Sequence, residues 1–228
     1  MDLLLSVESI RKISFQEYLS DGEIDYYRRL NEDKKDDWLA GRFSIKKLIR
    51  LYYLKNFQTE IDLQKIKIIN KKLQKPTFQI PIKKNHQISI SISHCDGYAF
   101  GAISDIAKGG LVGVDIERIR DFKIGALKNF LTQREFLEVR KQPKLATLFW
   151  SAKEAYLKAL GYGLTRHPRF IEIHLNNKRN IGKIYDKGER VEIKSRWACF
   201  SDNYLSVKVN VFNKKKSFED HFKEFRFR

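Results

Sequence analysis

The sequence predicts an α+β chain built from two similar halves, and three observations carry that prediction. Apolar residues recur at helical spacing in two separate stretches, Ile45, Leu48, Ile49 and Tyr52 in one, and Leu145, Leu148, Phe149, Ala152, Tyr156, Ala159 and Leu160 in the other. Between them, Gln87 to Ser93 alternates Ile88, Ile90 and Ile92 with Ser89, Ser91 and Ser93, the period of a half-buried strand. Finally, the chain resembles itself. Phe43, Ser44 and Lys46 fall in step with Trp150, Ser151 and Lys153 at an offset of 107, and Asp96-Gly97-Tyr98 matches Asp202-Asn203-Tyr204 at an offset of 106.

Each copy then holds a helix followed later by a hairpin. Cys95-Asp96-Gly97 turns the chain after the first serine-isoleucine strand, and Tyr98 to Ser104 returns as its mate. Lys108-Gly109-Gly110 forms the junction, which gives an N-terminal half over 1–109 and a C-terminal half over 110–228. Leu111 to Ile116, entered through glycines, reads as a strand that ends in the charged run Glu117-Arg118-Ile119-Arg120-Asp121. Thr132-Gln133-Arg134-Glu135 has capping-box spacing and starts a helix through Phe136, Leu137 and Val139, and Pro143 interrupts before the next one. Ser217-Phe218-Glu219-Asp220 repeats the capping pattern in a basic tail whose Phe218, Phe222 and Phe225 form an apolar stripe for docking on the body.

The 228 residues, 42% hydrophobic and 13% aromatic, are enough to bury a core without metal or disulfide staples and exclude global disorder. The formal charge of +17 recruits anions, and nucleic acid, a polyphosphate ligand, an anionic membrane or an acidic protein would each satisfy it. Cys95 and Cys199 lack CxxC spacing and read as reduced thiols. The opening residues lack a basic leader, and no later stretch approaches the roughly 20 apolar residues of a membrane span, so the chain reads as cytoplasmic, with no membrane partner.

Chemistry gathers around acidic residues. Asp115 and Glu117 lie two apart on a strand, so both carboxylates point to one face, about 6 to 7 Å apart at the backbone. Two like charges at that range call for a cation, and Mg²⁺ takes oxygen ligands from carboxylates and substrate phosphates. Taken alone, the pair reads better as a solvated strand end flanked by Arg118 and Arg120. Glu154 shares a helix face with Lys158, which adds a carboxylate and an amine, although an ordinary helix ion pair has the same spacing. Ser93-His94 ends a strand at a turn where a ring and backbone N–H groups can meet a phosphate. Lys75-Pro76 follows Lys71-Lys72, and Arg42 follows Lys34-Lys35; singly, each of these cations is a solvated charge.

In order, Lys75-Pro76, Ile92-Ser93-His94, Gly113-Val114-Asp115-Ile116-Glu117 and Trp150-Ser151-Ala152-Lys153-Glu154-Ala155-Tyr156-Leu157-Lys158 resemble the signatures of the 4′-phosphopantetheinyl transferases of the surfactin-synthetase-activating (Sfp) type. Phe130 to Glu135 also resembles that family's Phe-Phe-[ST]-x-x-Glu stretch, and the resemblance runs from about Arg28 to Gly163. It implies a pseudo-dimer of two α+β halves with the active site at their interface. It implies an enzyme that moves the phosphopantetheine arm of coenzyme A to a serine of an acyl or peptidyl carrier protein and releases adenosine 3′,5′-bisphosphate. Carried over residue by residue, Asp115, Glu117 and Glu154 would hold Mg²⁺. Glu154 would relay the serine proton, and Lys158 would stabilise the pyrophosphate or help deprotonate the nucleophile. Arg42, Lys75, Ser93 and His94 would grip the phosphates of coenzyme A, with Arg28 and Arg29 near the 3′-phosphate. Carrier proteins are acidic as a class, and a basic rim at Arg118, Arg120 and Lys123 would steer them. One chain supplying both sides of the site implies a monomer.

Gln74 stands where the family often has glycine, and Cys95 where serine or threonine is usual. Two other readings compete. A metal-dependent nuclease would use Asp-x-Glu on a basic surface, but Ile119 stands where its lysine is expected. A non-enzymatic RNA-binding module would use the basic and aromatic side chains, yet no RNP-type or zinc-knuckle pattern is present.

Overall fold

The computed structural model describes residues 1–6, 13–70, 74–82, 87–139, 142–176 and 181–212. The capping pattern at 217–220, the phenylalanine stripe of the tail and the Lys71-Lys72 pair lie outside the described residues. In chain order the elements are β1 (Asp2–Ser6), α1 (Asp21–Arg28), α2 (Glu32–Phe57), β2 (Lys67–Ile69), β3 (Thr77–Gln79), β4 (Ile88–Cys95), β5 (Tyr98–Asp105) and the short α3 (Ile106–Gly109). There follow β6 (Leu111–Arg118), α4 (Ile124–Phe130), α5 (Gln133–Val139), α6 (Pro143–Leu160), β7 (Ile171–Leu175), β8 (Ile181–Asp186), β9 (Glu189–Ser201) and β10 (Tyr204–Phe212). The α+β class, both long helices, both hairpins and the capping-box helix stand as the sequence predicts. Pro143 opens α6 at its first turn, where its missing N–H has no intrahelical partner to lose.

Besides the two-stranded β2-β3, the described residues form two larger sheets that share a three-strand order. One is ordered β1-β5-β4 and the other β6-β10-β9-β8-β7, all joined antiparallel. In the first, Tyr98 pairs with Ser6 and with Cys95; in the second, Tyr204 pairs with Arg118 and with Ser201. The tyrosines matched in the sequence thus hold the same place in both halves. They also touch: their rings lie 5.1 Å apart, and the Tyr204 hydroxyl donates to Asp96 Oδ2 at 3.2 Å. Equivalent hairpin tips meet like the self-complementary patch of a two-fold dimer.

The second sequence match has a physical meaning as well. Lys46 in α2 and Lys153 in α6 are both completely buried, and each ammonium is held by a carboxylate and by main-chain carbonyl oxygen. Lys46 donates to Tyr18 O at 2.6 Å, to Leu63 O at 3.1 Å and to Glu23, which also accepts the N–H and the hydroxyl of Ser20 at the start of α1. Lys153 donates to Phe130 O at 2.7 Å and to Glu135 Oε2 at 2.6 Å, which also accepts the Thr132 N–H at 2.8 Å. A buried lysine is tolerable only when its charge is paired and its protons are satisfied. Each half meets that need with the acidic residue of a capping box, so one carboxylate both starts a helix and neutralises the core.

α2 packs on β1, β5 and β4, while α6 packs on β6 and β10. The larger core lies under α6 and combines Leu148, Phe149 and Tyr156 with Ile171, Ile173, Ile184, Val207 and Val209. Ile45, Leu48, Ile49, Tyr52 and Tyr53 form the corresponding core under α2 with Ile90 and Ile103.

The expectation of a half-buried β4 needs correction, because Ser89, Ser91 and Ser93 are buried along with Ile90. β6 is the outer strand of its sheet, and its edge N–H groups face β4 across the seam between the halves. Ser89, Ser91 and Ser93 accept the N–H groups of Val112, Val114 and Ile116 at 2.8, 3.1 and 3.4 Å. Hydroxyls therefore replace a backbone ladder and satisfy an edge that would otherwise carry buried, unpaired donors. Phe100 and Ala102 of β5 pack on Val112, Val114 and Ile116 to complete the seam.

Candidate active site

The seam sets the position of β6, and β6 sets the position of its carboxylates. Val112, Val114 and Ile116 point into the seam, so Gly113, Asp115 and Glu117 alternate to the opposite face, toward α6. Gly113 is what allows the strand and helix to approach. A Cβ built there would lie 1.8 Å from Ala155 O and 2.5 Å from Ala159 N, inside the backbone of α6. This close approach brings Glu154 and Lys158, one helical turn apart, over Asp115 and Glu117.

Asp115 is the hub. It is 2% exposed, and its Oδ1 accepts Ser93 Oγ at 2.9 Å and Lys158 Nζ at 2.6 Å. Lys158 also donates to Ser93 Oγ at 2.9 Å, which closes a three-membered cluster drawn from β4, β6 and α6. Glu117 Oε1 accepts the indole N–H of Trp150 at 2.9 Å, and its other oxygen lies 3.8 Å from Arg120. Among the described residues, Asp115 Oδ2 and Glu154 Oε1 are buried with no hydrogen-bond partner.

Electrostatics links the three acids. Burial, outweighing the pull of Lys158 and reinforced by Asp115 and Glu117, pushes the Glu154 carboxyl up to about 6. Burial and then Asp115 raise Glu117 as well. The acids thus crowd one another in a poorly solvated place and are underneutralised there. Two orphaned carboxylate oxygens and two raised acids make a donor set suited to a hard divalent cation. As they stand, however, no three His, Cys, Asp or Glu side chains among the described residues are arranged to hold a metal ion. The cation beside Asp115 is the ammonium of Lys158.

The remaining residues singled out in the sequence divide into two groups. Ser93 and His94 stand at the cluster. His94 is half exposed with Nδ1 3.5 Å from Asp37 Oδ2, and partial desolvation, helped by the Lys158 charge, holds its imidazole below the ordinary value against the pull of Asp37. Arg42 and Lys75 are engaged elsewhere. Arg42 is buried, 4.7 Å over the Trp38 ring with Nε 3.6 Å from Glu23 Oε1, and burial lowers its pKa. Lys75 donates to Val112 O at 2.7 Å and Ala159 O at 2.8 Å. At the end of α1, the exposed Arg28 lies 3.9 Å from Asp25, and Arg29 donates to Asp25 O at 3.0 Å. Arg118 is exposed, 3.8 Å from Asp96.

Sequence reasoning missed Trp150 and Asp37 as site residues. Trp150 lay within a quoted motif, one turn before Glu154, where an indole N–H could reach a strand carboxylate. Asp37 gave no signal, because it lies 57 positions before His94 and only the packing of α2 on the β4–β5 turn unites them. That packing also lets Asp37 Oδ1 accept the Gly97 N–H at 3.0 Å.

Among solved structures, a holo-(acyl-carrier-protein) synthase from Bacillus anthracis aligns with a TM-score of 0.38 and 22% identity over 45% of this chain and 90% of its own. Among curated proteins, the holo-[acyl-carrier-protein] synthase of Nautilia profundicola is 38% identical over 73 residues, 29% of this chain and 64% of the relative. A 4′-phosphopantetheinyl transferase of Aneurinibacillus migulanus is 30% identical over 111 residues, 46% of this chain and 45% of the relative. The chain thus spans less than two thirds of the length of these curated relatives. Residues 111–205, the stretch that carries Asp115, Glu117, Glu154 and Lys158, match the model of the 4′-phosphopantetheinyl transferase superfamily.

Proposed function

We propose that this chain transfers the 4′-phosphopantetheine arm of coenzyme A to a serine hydroxyl of an acyl or peptidyl carrier protein and releases adenosine 3′,5′-bisphosphate. The observation that carries this reading is the Ser93–Asp115–Lys158 cluster, with Glu117 and Glu154 beside it, where β4, β6 and α6 meet. The matched family and relatives support it.

The serine oxygen attacks the phosphorus that bears the pantetheine arm, and the bond from that phosphorus to the bridging oxygen of the pyrophosphate breaks. Such a displacement asks the protein for alignment and charge compensation rather than for a covalent nucleophile. Asp115, Glu117 and Glu154 would hold Mg²⁺, which supplies positive charge to the pyrophosphate and its leaving oxygen. Lys158 adds a second cation to the same oxygens when it swings from Asp115. Glu154 would also relay the serine proton through a water. Ser93 and His94 face the phosphates from the first half. Arg118, Arg120 and Lys123 form the basic rim that draws in an acidic carrier. One chain brings together β4 of the first half and β6 and α6 of the second, which favours action as a monomer. Among the described residues no helix is long and apolar enough to cross a membrane.

The test is mass spectrometry of an apo carrier protein incubated with coenzyme A, Mg²⁺ and this chain. The expected result is a mass gain of one phosphopantetheine on the carrier serine, with adenosine 3′,5′-bisphosphate as co-product. An unchanged carrier across fatty-acid, polyketide and peptide types would overturn the reading.

A further inference from the structure

Lys75 comes from the first half, in the stretch that leads into β3, yet its ammonium is enclosed by main-chain oxygens of the second half. It donates to Val112 O on β6 at 2.7 Å and to Ala159 O in the last turn of α6 at 2.8 Å. The other polar group of Val112, its N–H, donates to Ser89 Oγ at 2.8 Å. Both main-chain groups of Val112 are therefore held by first-half side chains. Ala159 lies at the helix end, where unsatisfied carbonyls and the helix dipole favour a cation. The fit is close on the far side too. α6 ends at Gly161 with a left-handed φ of 79°, and a Cβ there would stand 3.3 Å from Lys75 Cβ.

The two carbonyls are not arbitrary points. Val112 is three residues before Asp115 on the same strand, and Ala159 directly follows Lys158 on the same helix. A side chain that ties these carbonyls together fixes the spacing between the strand that carries Asp115 and Glu117 and the helix that carries Glu154 and Lys158.

We propose that Lys75 is a positioning residue, a clasp between β6 and the C-terminal turn of α6 that sets the geometry of the Asp115–Lys158 cluster, rather than a side chain that grips a phosphate of coenzyme A. The inference rests on the transferase reading for its kinetic consequence, but the clasp itself is a structural statement. Burial, which pushes the Lys75 ammonium down to about 7, agrees with an enclosed group and disagrees with one that waits in solvent for a ligand.

Lys75→Arg and Lys75→Gln separate the two roles. Arginine binds phosphate at least as well as lysine, but its planar guanidinium is too large for a pocket built around an ammonium. A clasp predicts that both variants lose kcat by on the order of tenfold or more, as misplaced catalytic groups do, while the KM for coenzyme A stays within about twofold. It also predicts faster hydrogen exchange in both variants at the amides of residues 112–118 and 155–161. A phosphate grip predicts the opposite split: Lys75→Arg keeps wild-type kcat, Lys75→Gln raises the KM for coenzyme A about tenfold, and exchange does not change. That pattern would overturn the proposal. So would global unfolding of both variants, since Lys75 would then be a fold residue rather than one that tunes a site. If the wild-type chain transfers no phosphopantetheine, the proposed function fails, and hydrogen exchange alone decides the clasp: local loosening in the two segments supports it and unchanged exchange rejects it.

Discussion

Asp115→Ala lowers phosphopantetheine transfer by on the order of 10²- to 10³-fold, the range for loss of one preorganised electrostatic group from an enclosed site. Of the three acids of the cluster, Asp115 bonds to both sides of the seam, through Ser93 of the first half and Lys158 of the second. Without it, Lys158 keeps only Ser93 as a partner in the cluster, and the strand loses the carboxylate that sits deepest. Glu154→Gln causes a loss of similar size but raises stability at alkaline pH. The folded-state pKa of Glu154 is raised to about 6, so its stability contribution is fully present below the unfolded value near 4.3 and is lost as pH rises through about 6. At pH 8 the native chain therefore carries a carboxylate that the fold disfavours, and glutamine relieves it. Urea denaturation should show Glu154→Gln more stable than wild type at pH 8 and equal to it at pH 4. A variant that is less stable at pH 8 would refute the assigned environment. Intact-mass assays of the carrier measure the activity losses.

Gly113→Val has the largest effect expected on folding. Its Cβ would overlap Ala155 O and approach Ala159 N at 2.5 Å, and both are helix backbone that cannot swing aside as a side chain end can. α6 must move off β6, which disturbs the core packed under the helix and the hydrogen bonds of Lys75 and Lys158 at once. Overpacking of a tight core typically costs 1–3 kcal/mol, and with backbone on both sides the expected loss is about 3 kcal/mol or more by urea denaturation. A loss below about 1 kcal/mol would mean that the close approach does not hold the two elements in register.

What the sequence disclosed follows from which interactions are local. The stripes of α2 and α6, the turns at Asp96-Gly97 and Asp202-Asn203, and the capping box at Thr132 depend on neighbours within a few positions, so they were legible. The offset match was legible for a deeper reason. Lys46 and Lys153 each neutralise a buried capping-box acid, and the two halves keep the same solution. By contrast, the serine face of β4 looked solvent-exposed because serine is polar. Only the open edge of β6, brought in from more than twenty residues away, turns those hydroxyls into buried acceptors. The contacts of Lys75 were hidden in the same way: a lysine beside a proline near other cations looks like a ligand for anions, and nothing local says that its ammonium will donate to Val112 O and Ala159 O. At the site, the spacing of Asp115 and Glu117 and the pairing of Glu154 with Lys158 were readable, whereas the bond from Trp150 to Glu117 and the approach allowed by Gly113 required the packed structure.

The most direct test is a titration of the metal-free chain with Mn²⁺ as a probe for Mg²⁺, followed calorimetrically at pH 8 and pH 5. If Asp115, Glu117 and Glu154 act as one centre, a single ion binds per chain at pH 8. At pH 5 the raised acids of Glu117 and Glu154 compete for protons, so binding there is weaker and releases protons, and Asp115→Ala abolishes it. Absence of saturable binding at pH 8, or binding that survives Asp115→Ala, would contradict the account.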